Sequence, residues 1–179
     1  VGMAFEDDTI VTEENAEHVQ TYVNLVRELA AQGGTLLVEQ KIPIGALTGE
    51  LDEQGKVATG TADAVIIRED EIVIVDLKFG RGVAVKAEGN RQGRTYAAGA
   101  VEEHQLWDTI KRVRIIIVQP RVMDGTSEET ISIEELKLFR DELFACANAI
   151  LRSLQTKEKL PLIPSEKACQ FCRAKSVCP

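Results

Sequence analysis

Between Glu13 and Gln32, Ala16, Val19, Tyr22, Val23, Val26 and Leu29 recur at intervals of three and four residues. That spacing predicts an amphipathic helix, and the Gly33-Gly34 pair predicts its end. Leu36-Leu37-Val38 opens a strand running toward Ile44, and the Gly- and charge-rich stretch from Gly45 to Thr59 reads as a loop. Two apolar runs follow, Thr61 to Arg68 and Glu71 to Lys78, joined only through Glu69-Asp70. So short a connection joins antiparallel strands, not parallel ones. After a glycine-bearing loop, Arg91 to His104 is helical. Val113-Arg114 leads into Ile115 to Val118, a wholly β-branched run suited to a buried strand. Thr130 or Ser132 can start a last long helix, about Ile133 to Gln155, with acids near its N-terminus. The order is helix, three strands, helix, strand, helix, with no internal repeat. It predicts a mixed α/β domain, its central mixed sheet carrying an antiparallel hairpin and flanked by helices.

The 179 residues suit one domain and can bury a substantial core. Aromatic residues make up only 4% of the chain, so Val, Ile, Leu and Ala must build that core. No apolar run reaches the roughly 20 residues that span a bilayer, and no leader-like segment opens the chain. Both point to a soluble, cytoplasmic protein without a membrane partner. The net charge of -8 looks wrong for a nucleic-acid enzyme, but its distribution is uneven. From 78 to 94 the charges are Lys78, Arg81, Lys86, Arg91 and Arg94 against Glu88 alone, while acids crowd at Glu6 to Asp8, Glu13 to Glu17 and Glu128 to Glu135. A local basic track is one reading of this asymmetry, and a set of solvated faces is the other.

Chemistry concentrates in the hairpin. Asp63 interrupts Thr61 to Ile67 and Asp76 interrupts Ile72 to Leu77, although strand interiors disfavour Asp for its poor β propensity and desolvation cost. Two carboxylates brought together on adjacent strands repel unless a cation lies between them. Mg²⁺ or Mn²⁺ suits such a place, since a hard divalent ion takes a few carboxylate oxygens and completes its shell with water and phosphate. Lys78 follows Asp76 by two and shares its strand face. From there its ammonium could orient an attacking water or neutralise charge on phosphate. Glu39, in the preceding strand, is a candidate further ligand or water-orienting base. A structural Asp76–Lys78 ion pair with Asp63 as a cap is the plainer alternative.

Gly60-Thr61-Ala62-Asp63, Asp76-Leu77-Lys78 and the helical Gln92-Gly93-Arg94-Thr95-Tyr96 stand in an order that resembles the RecB-like PD-(D/E)XK nuclease superfamily. The likeness is nearest to a branch of phage and prophage exonucleases and covers nearly the whole chain. It implies a restriction-endonuclease-like core over residues 1–160. It also implies a divalent-metal-dependent deoxyribonuclease, and an exonuclease acting in phage recombination, replication or repair beside a recombination partner protein. Asp63, Asp76 and the Leu77 backbone carbonyl would bind metal, and Lys78 would be the catalytic lysine. Gln92 and Tyr96, four apart and so on one helix face, would touch DNA or position the site. Arg91 and Arg94 flank them and could take phosphates. The family's upstream His-bearing helix is expected to be missing from this chain, and His18 is a weak substitute.

Residues 161–179 form a cysteine-bearing tail, Cys169-x2-Cys172-x5-Cys178. In an intracellular protein such a cluster points to metal rather than disulfides. The resemblance implies a four-iron four-sulfur cluster that lacks its upstream cysteine here. Zinc held by thiolates and free thiols are the alternatives. Cys146, between Ala145 and Ala147 on an apolar helix, reads as a small buried hydrophobe. Two non-enzymatic readings compete with the nuclease: an inactive nuclease fold that holds DNA or a partner, and an interaction protein with an acidic surface.

Overall fold

The computed structural model describes residues 11–51, 53–161 and 163–178, so the acidic Glu6 to Asp8 cluster lies outside the described residues. The chain runs α1 (Glu13–Ala31), β1 (Thr35–Ile42), α2 (Ile44–Thr48), β2 (Gly60–Ile67), β3 (Glu71–Leu77), α3 (Arg91–Glu103), β4 (Arg112–Val118), β5 (Thr126–Ser132), α4 (Ile133–Thr156) and α5 (Glu166–Cys169). The five strands lie side by side in sequence order. Every neighbouring pair is antiparallel except β3 and β4, which are parallel because α3 carries the chain back across the sheet between them. This is a mixed α/β fold with a five-stranded mixed sheet flanked by helices, consistent with a restriction-endonuclease-like core.

Alternation along the inner strands divides the apolar side chains between two cores. Ile72, Ile74, Ile115 and Ile117 pack with Ala97 and Val101 of α3 and Leu136 and Phe139 of α4. Val73, Val75, Ile116 and Val118 face the other way and pack with Val26 and Leu29 of α1. Because β3 and β4 are covered on both faces, they are apolar at nearly every position, as the sequence of β4 anticipated. Helix α3 lies flush on the sheet through its small residues. A Cβ built on Gly93 would stand 2.5 Å from Ile115 Cγ2, and one on Gly99 would stand 2.2 Å from Ile42 Cγ2.

Three elements depart from the sequence reading, the shortest being α5 within the cysteine tail. The stretch after Ile42 is not all loop, since α2 forms there and ends at Gly49, whose φ of +73° suits glycine. The segment before the last helix is a fifth strand, β5, paired with β4 over its whole length from Val118–Thr126 to Arg112–Ser132. Its sequence, TSEETIS, looks like a charged helix lead-in because it is an edge strand, where charge and polarity block further pairing. Ser132 then caps α4 in a reciprocal box with Glu135.

The closed end of the β2–β3 hairpin is tied to the rest by charge. Arg68 pairs with the buried Glu71, and Arg112 of β4 reaches the same carboxylate at 2.9 Å. Arg68 also donates to the Leu29 carbonyl at 2.8 Å, so one guanidinium joins the hairpin to the C-terminus of α1. Glu71→Ala would leave two arginines facing a buried gap, and removing one partner of a buried pair costs about 3–5 kcal/mol. Urea unfolding should show a loss near the lower end of that range, because Arg112 is partly solvated; a loss under about 1 kcal/mol would make the cluster incidental.

Candidate active site

The register of the first three strands builds the site. In β1 and β2 the pairs Val38–Ala64 and Gln40–Ala62 bracket Glu39 and Asp63, which therefore stand opposite each other. In β2 and β3 the ladder ends at Ala64–Val75, so Asp63 and Asp76 are the next positions out. Glu39, Asp63 and Asp76 thus form one row across three strands. Neither flank of that row is regular. Glu39 adopts a left-handed φ of +51°, rare for a residue with a side chain, and its own pairing to β2 is broken. Beyond Ala64, β2 leaves β3, while β3 stays paired to β4 through Leu77–Val118. The Asp63 carboxylate takes over from the lost ladder: its Oδ2 accepts the Leu77 N–H at 2.7 Å.

Asp76 is buried at 4% exposure. Burial raises its pKa above the ordinary carboxylate value, Lys78 opposes that rise, and Asp63 adds to it. The Lys78 ammonium stands 2.8 Å from Asp76 Oδ2. That oxygen is buried, and the lysine is the cation that offsets its charge. Lys78 also donates to Gln92 Oε1 at 2.7 Å, and Gln92 Nε2 donates to the Tyr96 hydroxyl at 3.2 Å. A chain of contacts therefore runs from the core helix to the acid: Tyr96, Gln92, Lys78, Asp76.

Tyr96 is buried in the α3-side core and rests on the first residue of β2. A Cβ at Gly60 would stand 2.7 Å from Tyr96 Cε1, so the glycine that opens β2 makes room for the ring. Sequence spacing put Gln92 and Tyr96 on one face of α3; the structure adds that Tyr96 holds Gln92 and that Gln92 holds the lysine.

The basic stretch is largely spoken for. Arg94 is clamped to Glu129 of β5 at 2.6 and 3.1 Å. Burial alone would raise the Glu129 carboxyl, but Arg94 and the Gly89 N–H overcome it and hold the group below its usual range. Arg91 pairs with Glu142 at 2.9 Å and lies over the Phe139 ring, while Arg81 pairs with Glu14. Much of the track that sequence showed as unopposed meets acids from distant parts of the chain.

One contributor escaped the sequence reading altogether. Tyr22 of α1 is half-buried, and its pKa is pushed well up, first by burial and then by the fields of Asp63, Asp76 and Glu39. All three carboxylates therefore lie within electrostatic reach of one hydroxyl. Its helical spacing marked Tyr22 only as core. His18, one turn earlier, meets Phe79 edge-on at 6.4 Å and Glu14 at 3.7 Å.

The cysteines do not assemble. Cys169 is half-buried on α5, Cys172 and Cys178 are exposed, and all are free thiols. Cys146, expected inside, is exposed, because the second half of α4 runs clear of both cores. Among the described residues no three His, Cys, Asp or Glu side chains gather closely enough to hold a metal. Nor, among them, is any helix long and apolar enough to cross a membrane.

Since the Tyr96 ring fills the space over Gly60, Gly60→Ala should overpack the start of β2. Such changes cost about 1–3 kcal/mol, measurable as a lower urea midpoint. An unchanged midpoint would mean the ring can retreat, and the support for Gln92 would then be loose.

Among solved structures, the chain is similar to the crystal structure of SSO0001, with a TM-score of 0.38 and 12% identity over 94% of this chain and 71% of that one. It is also similar to the crystal structure of a "Putative exonuclease" from Eubacterium rectale, with a TM-score of 0.45 and 12% identity. That match covers 97% of this chain but 64% of the other, so the chain spans less than two thirds of its length. The family described as "Protein of unknown function (DUF2800)" matches residues 2–179, essentially end to end, and the chain belongs to that family.

Proposed function

We propose that this protein is a divalent-metal-dependent deoxyribonuclease of the PD-(D/E)XK type, with an exonuclease the form that fits best. The observation that carries the reading is the parting of β2 from β3 at Asp63 and Asp76. It leaves a buried carboxylate and a second acid beside one lysine ammonium, 2.8 Å from Asp76 Oδ2. A purely structural ion pair would have no reason to bring Asp63 close enough to work against the buried acid.

The residues fit Mg²⁺ or Mn²⁺. Such an ion is commonly held by one or two carboxylates and keeps several waters, so two acids suffice without a third side chain. Asp76 Oδ2 and the free oxygen of Asp63 would hold it with the Leu77 carbonyl, and Glu39 stands in the same row to bind or orient a water. Bound there, the ion would polarise a phosphodiester and lower the pKa of a water. The described cysteines gather into no ligand set, so no step is assigned to a cluster.

Three groups of the chain act on the substrate side. Asp76 holds the Lys78 ammonium close, at 2.8 Å. Gln92, braced by Tyr96, turns the ammonium toward the open ends of the two strands. Lys78 then stands where negative charge on the phosphate grows as the attacking oxygen adds, and its fixed position means little reorganisation is needed at that moment.

Divalent-dependent degradation of DNA tests the whole reading, and failure with both Mg²⁺ and Mn²⁺ would leave a DNA- or partner-binding module. Asp76→Ala should abolish Mn²⁺ binding by calorimetry, and undiminished binding would place the metal elsewhere. Lys78→Ala should keep the fold and most metal and DNA affinity but lose cleavage by about a hundredfold or more, as losing one such electrostatic contact does. Lys78→Arg should recover little, because a planar guanidinium does not replace a compact ammonium. Cleavage by Lys78→Ala at the parent rate would reduce the lysine to an ion-pair partner and end the proposed mechanism.

A further inference from the structure

A groove of about 640 Å³ opens beside α3, and its lining includes Val83, Val85, Lys86, Arg91, Gln92 and, from the cysteine tail, Phe171. Gln92 is shared with the catalytic cluster, where it accepts from Lys78. The groove is therefore continuous with the proposed active site.

One wall is fixed by the sheet. The Val85 N–H donates to the buried Gln119 at 2.9 Å, the Ala87 N–H to Ser127 at 2.9 Å and the Gly89 N–H to Glu129 at 3.0 Å. Gln119 closes the loop from below by donating to the Gly80 and Val83 carbonyls at 3.2 Å each. Alternate residues are anchored inward by their amides, and Lys86 between them stands exposed, with no acid within ion-pair distance among the described residues. The lining also carries an aromatic ring. Phe171 is 80% exposed, and among the described residues no ring or cation stacks on it. Val83, 65% exposed, adds a second apolar surface.

An open aromatic face, free positive charge on a rigid wall and a direct connection to a phosphodiester site match the chemistry of an unpaired nucleic-acid strand. Proteins bind such strands by stacking bases on aromatic rings and tracking phosphates with Lys and Arg. The volume falls within the roughly 300–1,000 Å³ range of clefts that enclose small ligands, a scale suited to nucleotides and not to a duplex. We propose that this groove binds the unpaired end of a DNA strand, with a base on Phe171 and a phosphate at Lys86, and leads that strand past Gln92 to Lys78. The proposal rests on the nuclease reading for the fate of the strand, but its binding step is independent.

The test uses fluorescein-labelled oligo-dT and a blunt hairpin duplex, each titrated by anisotropy into the whole chain in EDTA, so that no cleavage occurs. The parent should bind oligo-dT more tightly than the hairpin. Phe171→Ala should weaken oligo-dT binding by about five- to a hundredfold, Phe171→Trp should retain it, and Lys86→Glu should weaken it and lower its salt dependence. Parent-like affinity in Phe171→Ala, or a preference for the hairpin, would overturn the groove. A parent that binds oligo-dT through Phe171 yet fails to cut it with Mg²⁺ or Mn²⁺ would support the groove while overturning the nuclease. Cleavage without dependence on Phe171 would do the reverse.

Discussion

Everything at the candidate site follows from a single exchange of hydrogen bonds. Where β2 stops pairing with β3, the Leu77 N–H would lose its acceptor inside the protein, and an orphaned buried amide is costly. Asp63 Oδ2 accepts that N–H instead. The substitution lets the strands part without stranding the backbone, and it fixes one oxygen of Asp63 while leaving the other free. It also holds Asp76 and Lys78 at the tip of a strand that β4 keeps straight. Were Asp63 replaced by an apolar residue, the fork would have no inner stitch.

Support for the fork comes from both sides of the sheet by different means. On one side α3 approaches closely because Gly93 and Gly99 offer no side chain, and this brings Tyr96 and Gln92 down to the level of Lys78. On the other, α1 lies over the second core and carries Tyr22 toward the acids. At the hairpin's closed end, Arg68 and Glu71 hold the turn against α1, so the strands separate at the end that carries the acids.

How much of this could be read without coordinates varied with the range of the interaction. Asp63, Asp76 and Lys78 stood out because an acid in an apolar strand violates a local rule, and local rules are legible. The Gln92–Tyr96 pair came from the family resemblance, and helical spacing only placed the two on one face. The sequence of Lys78 to Arg94 looked like an unopposed basic track because its partners Glu14, Glu129 and Glu142 lie far away in the chain. Strand β5 escaped because edge strands hide behind polar residues. Tyr22 looked like core because its helix has an ordinary apolar stripe, and nothing local tells a core tyrosine from one facing three carboxylates. The left-handed backbone of Glu39 left no trace at all, since Glu is not a residue chosen for that conformation.

The burial of Asp76 places the folded chain in tension with itself. A carboxyl whose pKa is raised by folding opposes the fold once ionised, so this acid works against the structure that holds it as pH rises through its folded value. Asp63 worsens the conflict, and Lys78 relieves only part of it. The row of acids is thus a stability liability, one that the proposed chemistry would account for. An amide or apolar side chain at 76 would give this chain a more durable fold, and a divalent cation seated between the acids would bring the same relief without changing a residue.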